Sequence, residues 1–401
     1  VNLGKLKNLA DQGSENKLLL TVARRELDPR GSIEVRELVN EPLDWDYLLA
    51  TAFGHGLLPL LHKHLSTVAT DLVPAHVLAR LKRESVANSQ SVLHLIAKQL
   101  KAYRLLKDHG IRSAIFKGAV LAQMAYGEVS LRQAGDIDLL IDRGNFAEAR
   151  SLLESLGYEM APQLTKPQLA SHLAFHCEIP FMRDEWFTII DLHWGLAPRS
   201  FVFALETDEV MSRLQPVTLA GTTIETFCDE DMVLYQSMHG AKHLWHRLEW
   251  IISLAELVRA STNIDWDVVV QRAEDAHAKR ILALGLRLVE EFSDVEVETR
   301  ILKSVDPEGV MKRMATLIKD QIFTQSHNIE SKQSNLYNFK IMDRKRDALV
   351  SALRALFVPT FPDWEALTLP SKLHPLYYAF RPVRLSKTYL WYFLMRGHRR
   401  S

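Results

Sequence analysis

The run Asp136-Ile137-Asp138-Leu139-Leu140-Ile141 alternates with a period of two, which suits an extended strand and little else. Successive strand side chains point to opposite faces, so Asp136, Asp138 and Leu140 share one face while Ile137, Leu139 and Ile141 share the other. The apolar face packs on a core. The acidic face holds two carboxylates about 7 Å apart at the backbone, where like charges beside apolar surroundings repel. A divalent cation bound between them removes that repulsion, so the pair points to a metal site.

The surrounding order of residues sharpens this reading. IRSAIFKG (111–118) reads as a short strand ending in a turn, and AVLAQMAYG (119–127) as a helix closed by Gly127. The turn supplies Lys117, a Gly118 that lets backbone approach a ligand, and the positive end of the next helix; all three suit a phosphate. Arg132, four residues before Asp136, can clamp a phosphate or orient the aspartates by a salt bridge. Further on, the aromatic and β-branched run EWFTIIDLHW (185–194) predicts another strand that carries Asp191 among apolar neighbours. Three carboxylates suit a two-ion arrangement, with the ions roughly 3.5 to 4 Å apart. Oxygen ligands favour Mg²⁺.

A chain of 401 residues, 47% apolar and 24% charged, belongs with globular proteins and is long enough for two or three subdomains. The boundaries expected are a helical N-terminal region (1–108), an α/β core (109–215), a helical domain (216–330) and an irregular and helical C-terminal extension (331–401). Asp44 and Asp265, in LDWDYLL and IDWDVVV, are expected to cap helices. TLAGTTIETF predicts a hairpin around Ala220 and Gly221, residues 326–335 a loop, and FVPTFPDWEALTLP an irregular segment. Basic and acidic residues balance at 49 each, so net charge advertises no attraction to nucleic acid or anionic membrane. Two cysteines, Cys177 and Cys228, are too few for a disulfide framework and lack the paired spacing of a zinc motif. With no signal-like apolar run and no stretch of about 18 apolar residues, a cytoplasmic location is expected.

FKGAVLAQMAYG, LRQAGDIDLLID and IIDLHW resemble the conserved blocks of the uncharacterised nucleotidyltransferase family of bacteria, a branch of the DNA polymerase beta-like superfamily. Looser likeness continues through HGAKHLWHRLEW, IDWDVVVQRA, FPDWEALTLP and YYAFRPVRL. The resemblance implies an α+β fold, a small mixed-sheet nucleotidyltransferase core between predominantly helical N- and C-terminal regions. It also implies transfer of a nucleoside monophosphate from an NTP such as ATP, with Asp136, Asp138 and Asp191 binding two Mg²⁺ or Mn²⁺ ions. Lys117 and Gly118 would replace the superfamily's Gly-Ser phosphate turn. The acceptor, whether small molecule, protein or RNA, is left open, and so are phosphoryl transfer on the same fold and nucleotide binding without catalysis. One departure is Ser253, where the family tends to carry an aspartate.

His239, Lys242, His243 and Arg247 fall on neighbouring turns of one helix. His239 and His243 have metal-ligand spacing, but position 240 is glycine where H-E-x-x-H needs glutamate, so zinc is not expected there. The resemblance makes this stripe a contact for nucleotide or acceptor. His172 and His176, also four apart, are given no role. The C-terminal RPVRLSKTYLWYFLMRGHRRS mixes aromatic and basic residues. It suits a terminal helix docked on the core with a basic tail, or peripheral contact with a membrane surface or nucleic acid.

Overall fold

The computed structural model describes residues 13–183, 188–323, 337 and 339–397, with side chains to residue 387. The stretch 326–335, expected as a loop, lies outside the described residues. Five helices lead the fold: α1 (Ser14–Val22), α2 (Pro29–Val39), α3 (Trp45–Gly54), α4 (Leu58–Val68) and α5 (Ala75–Asp108). Their apolar stripes meet in one core, where Leu18, Leu19, Leu48 and Leu61 are fully buried. The Asp44 cap forms as expected, its Oδ1 accepting from the Tyr47 amide at 3.0 Å. The 34 residues of α5 reach about 51 Å. Val77 and Leu81 at its start pack in this helical core, while Ile96, Leu100 and Tyr103 near its end pack under the sheet.

His64 is buried in that helical core and its Nε2 donates to the Arg24 carbonyl at 2.8 Å. Burial pushes its pKa below the ordinary 6.5, partly opposed by that hydrogen bond. A histidine with a depressed folded pKa gives its full stability above about pH 6.5 and loses it as pH falls, because the unfolded chain binds the proton first. The stability should therefore decline below pH 6.5, by at most about 1.4 kcal/mol per pH unit from this group, and the thermal midpoint with it. His64→Gln should flatten that limb in thermal melts across pH 5 to 8; an unchanged pH slope would contradict the assignment.

The central sheet contains β1 (Ser113–Ile115), β2 (Ile137–Ile141), β3 (Glu159–Met160), β4 (Glu178–Arg183) and β5 (Thr188–His193), in the order β1-β2-β5-β4-β3. Only β2 and β5 pair in parallel; the other neighbours are antiparallel, so the sheet is mixed. Helices α6 (Gly118–Tyr126), α7 (Phe146–Ser155) and α8 (Lys166–Phe175) are interleaved with the strands. Ile137, Leu139 and Ile141 join Ile190 and Leu192 against α5 and α7, while Leu140 packs toward Phe116 and Tyr235 on the opposite side. Covered on both faces, β2 is buried along its whole length. Asp136 stands just before the strand rather than within it.

After α9 (Thr207–Ser212), β6 (Gln215–Leu219) and β7 (Thr222–Thr226) form the expected hairpin. Ala220 and Gly221 both take positive φ, 46° and 75°, as a tight primed turn requires. The helices α10 (Asp229–Lys242), α11 (Leu248–Ala260), α12 (Trp266–Asp275), α13 (Lys279–Phe292), α14 (Thr299–Val305) and α15 (Val310–Gln321) follow. Asp265 caps α12 as expected, accepting from the amides of Asp267 and Val268 at 3.1 Å. Among the described residues no helix is long and apolar enough to cross a membrane.

The segment expected to be irregular instead contains a helix, Phe361–Ala366, with a Thr360–Asp363 capping box. Pro362 reads as a breaker but is tolerated in a first turn, whose amides have no helical partner anyway. Asp363 is fully buried, and Arg381 and Arg384 of the last helix, Leu376–Gly397, reach it at 2.5 Å. Two of the basic C-terminal residues are thus tied inward.

A tight reversal at Leu244 and Trp245, with φ 59° and 53°, turns α10 into α11. The Trp245 ring is fully buried against Gly240, in the space a side chain at position 240 would take. Alanine favours a helix over glycine by about 1 kcal/mol, but overpacking costs about 1 to 3 kcal/mol. Gly240→Ala should therefore lower the thermal midpoint, and a raised midpoint would show that the ring moves aside freely.

Candidate active site

The parallel pairing of β2 with β5 sets Asp138 directly beside Asp191, and the antiparallel pairing of β5 with β4 sets His193 opposite Glu178. Because strand side chains alternate, these four residues project from one face. Behind them Phe116 stacks on Phe227 with ring centres 4.7 Å apart and meets His193 edge-on at 5.0 Å. That aromatic wall fixes the floor of a cleft of about 870 Å³, within the range of small-molecule sites.

Asp138 is the most enclosed of the carboxylates, 2% exposed. Its Oδ1 is ion-paired with Lys117 Nζ and lies 3.0 Å from His193 Nε2. Burial alone would raise its pKa, but Lys117 and His193 hold it well below the usual carboxylate range. The reverse holds for Lys117: burial works to lower its pKa, and Asp138 keeps it well above the ordinary value. Asp138 Oδ2 is buried and has no hydrogen-bond partner among the described residues. Asp191 is pushed up to about 7, first by burial and then by Asp138. Asp136, at the open edge of the floor, is raised chiefly by the charge of Asp138. The three carboxylates therefore crowd one another.

Gly118 opens α6 at φ 53°, a left-handed conformation that glycine adopts without strain. The preceding Lys117 is extended, so the turn delivers its amine to Asp138 and sets the start of α6, the positive end of its dipole, at the cleft. Among the described residues the ion pair of Arg132 is with Glu249, while its charge also acts to lower the Asp136 pKa. Its Nε lies 3.0 Å from Glu249 Oε1, and Arg247 reaches the other oxygen of Glu249 at 2.8 Å. This buried carboxylate holds both arginines at the cleft wall.

The last turns of α10 bring His239, Lys242 and His243 to the same wall. His239 and His243 pack on Trp250, with ring centres 5.4 and 5.3 Å away. Burial pushes the His239 pKa well down and, helped by Lys242, that of His243 to about 3, so both rings are neutral near pH 7. Lys117, Gly118, Arg132, Asp136, Asp138, Asp191, His239, Lys242 and His243 all line this cleft, and so does Arg247, which was expected on the same helix as His239 but stands past the reversal at the start of α11.

Glu178, Glu249 and Trp250 also line the cleft, and His193 stands beneath it opposite Glu178; none of the four was singled out from the sequence. His193 carries a usable signal, since it stands two residues after Asp191 and so shares its strand face. Glu178 carries none without the strand register. Ser253, at the departure from the family pattern, is fully buried with its hydroxyl 3.3 Å from that of Tyr126, away from the cleft lining. His172 and His176 stack on each other at 4.3 Å, and His172 stacks on Phe361 at 4.9 Å, as packing residues do.

A comparison with curated proteins finds no match. A family model described as an uncharacterised nucleotidyltransferase matches residues 41–294, from the helical core through the sheet to the end of α13. The match spans the acidic floor, the Lys117–Gly118 turn and the His239–His243 wall, and the chain belongs to this uncharacterised nucleotidyltransferase family.

Proposed function

We propose that the cleft transfers a nucleoside monophosphate from an NTP to a hydroxyl or phosphate acceptor and releases pyrophosphate. The observation that carries this reading is the placement of Asp138 and Asp191 side by side, with a buried Asp138 oxygen left unpartnered among the described residues. Crowded carboxylates with a spare oxygen fit a divalent cation, and an all-oxygen donor set suits Mg²⁺ or Mn²⁺. Asp136, Asp138 and Asp191 would hold it, with room in principle for a pair of ions. Bound there, such ions would polarise the triphosphate and stabilise charge on the departing pyrophosphate.

The protein's own groups supply the rest. Lys117 Nζ, the positive start of α6 and the Arg132 guanidinium bind phosphate oxygens, with Lys242 a further cation on the wall. His239 and His243, neutral and packed on Trp250, offer flat faces and ring nitrogens to the nucleotide. The acceptor oxygen forms its bond to the α-phosphorus, its proton passes to Asp191, and the bond to the β-phosphate breaks with its electron pair on pyrophosphate.

The test uses NTP labelled at either the α or the γ phosphate, with Mg²⁺ and a panel of small-molecule, peptide and RNA acceptors. Label appearing on an acceptor from the α position supports the reading. Label transferred only from the γ position replaces it with phosphoryl transfer, and tight NTP binding without turnover on any acceptor replaces it with a binding role.

A further inference from the structure

A second donor set lies along the same strands and meets the acidic floor only through Asp138. Cys177, Glu178 and His193 each offer one ligand atom, and the sulfur, oxygen and nitrogen all lie within 4.8 Å of one another. No sequence spacing announces this group; strand register makes it. Glu178 is the cross-strand partner of His193, and the Cys177 carbonyl accepts from the Trp194 amide at 2.8 Å, which fixes the cysteine one step further along.

The histidine shows what is missing. Its Nε2 lies 3.0 Å from Asp138 Oδ1, which turns Nδ1 toward Glu178. Nδ1 is buried, lies 3.1 Å from Glu178 Oε2 and has no aligned hydrogen-bond partner among the described residues. Nδ1, the Glu178 carboxylate and the Cys177 sulfur thus face a common point, and Nδ1 makes no hydrogen bond there among the described residues. A histidine that donates one nitrogen to a carboxylate while the other faces ligand-type atoms has the arrangement of a metal-bound imidazole with its orienting partner.

We propose that Cys177 Sγ, Glu178 and His193 Nδ1 bind a thiophilic divalent cation of the zinc class, with Asp138 orienting the imidazole. Mixed sulfur, nitrogen and oxygen donors select such an ion over Mg²⁺. A tetrahedral ion with bonds of about 2.0 to 2.3 Å spaces its ligands about 3.5 Å apart, a contraction that side-chain rotation of the cysteine and glutamate supplies. Coordination releases the thiol proton of Cys177 to solvent. Glu178, whose side chain is 37% exposed and lines the cleft, gives the ion its way in. Three protein ligands leave a fourth position for water or a ligand group.

The test takes the full chain, stripped with a chelator and titrated with Co²⁺. The expected result is one ion bound with a near-ultraviolet thiolate-to-cobalt band and the visible intensity of a four-coordinate site. Cys177→Ser should abolish the band and weaken Zn²⁺ binding at least about a hundredfold, since outer partners alone are worth about 10 to 100-fold; Cys228→Ser should leave both unchanged. Asp136→Asn should also keep the band, which separates this site from any held by the aspartates. Should Cys177→Ser fail to fold, X-ray absorption of the zinc-loaded wild type decides the same question by showing one sulfur at about 2.3 Å. Cobalt bound without a sulfur band, a band that survives Cys177→Ser, or no binding at all would each overturn the proposal.

Discussion

Asp138→Asn is expected to reduce nucleotide transfer by at least about a thousandfold, equivalent to about 4 kcal/mol of lost transition-state stabilisation, while the protein stays folded. Asparagine keeps the shape of the side chain and removes its charge. Asp138 sits between Lys117 and His193, beside Asp191 and with one oxygen unpartnered among the described residues, so the charge acts on ligands rather than on packing. Loss of the Lys117 ion pair costs stability, but the repulsion that raises Asp136 and Asp191 is relieved at the same time. Single-turnover assays with α-labelled NTP, alongside thermal melts, separate the two effects. Activity within tenfold of wild type would remove Asp138 from the reaction.

Much of this site could be read from local pattern because its key residues obey local periodicities. The alternation around Asp138, the turn at Gly118 and the position of Asp191 on a second strand each depend on a few neighbouring residues. The pairing that sets Asp138 against Asp191 is a different matter, since residues 138 and 191 are far apart in the chain and a one-residue slip would turn one of them to the other face. The same holds for Glu178, which reaches the site through antiparallel register alone. Arg132 illustrates another limit: four residues before Asp136 it can clamp a phosphate or orient the aspartates, and nothing local shows that Glu249, brought over by the turn into α11, holds its guanidinium. Proline in FVPTFPDWEALTLP misled in the opposite direction, because helix breaking depends on position and Pro362 occupies a first turn. Gly240, a mark against a zinc motif in sequence, is a packing requirement set by the Trp245 ring.

Asp231→Ala should produce the opposite phenotype: a loss of about 3 to 5 kcal/mol in stability, with transfer at low temperature largely retained. Asp231 is fully buried in the first turn of α10. Its Oδ2 accepts from Arg213 Nε at 2.6 Å, and its Oδ1 from Arg272 Nη1 at 2.9 Å and Arg213 Nη2 at 3.2 Å, so both oxygens are satisfied. The carboxylate ties the end of α9 and the last turn of α12 to the start of the helix that carries His239 and Lys242. Removing it strands two guanidinium groups, each about a quarter exposed and able to regain some water, which places the loss toward the lower end of that range. Asp231 does not line the cleft, so enzyme that remains folded should keep its activity. Chemical denaturation and low-temperature assays on Asp231→Ala and Asp138→Asn in parallel would show whether the two buried aspartates divide in this way. A destabilised Asp138 variant beside an unaffected Asp231 variant would mean that hydrogen-bond satisfaction does not distinguish a structural carboxylate from a functional one in this fold.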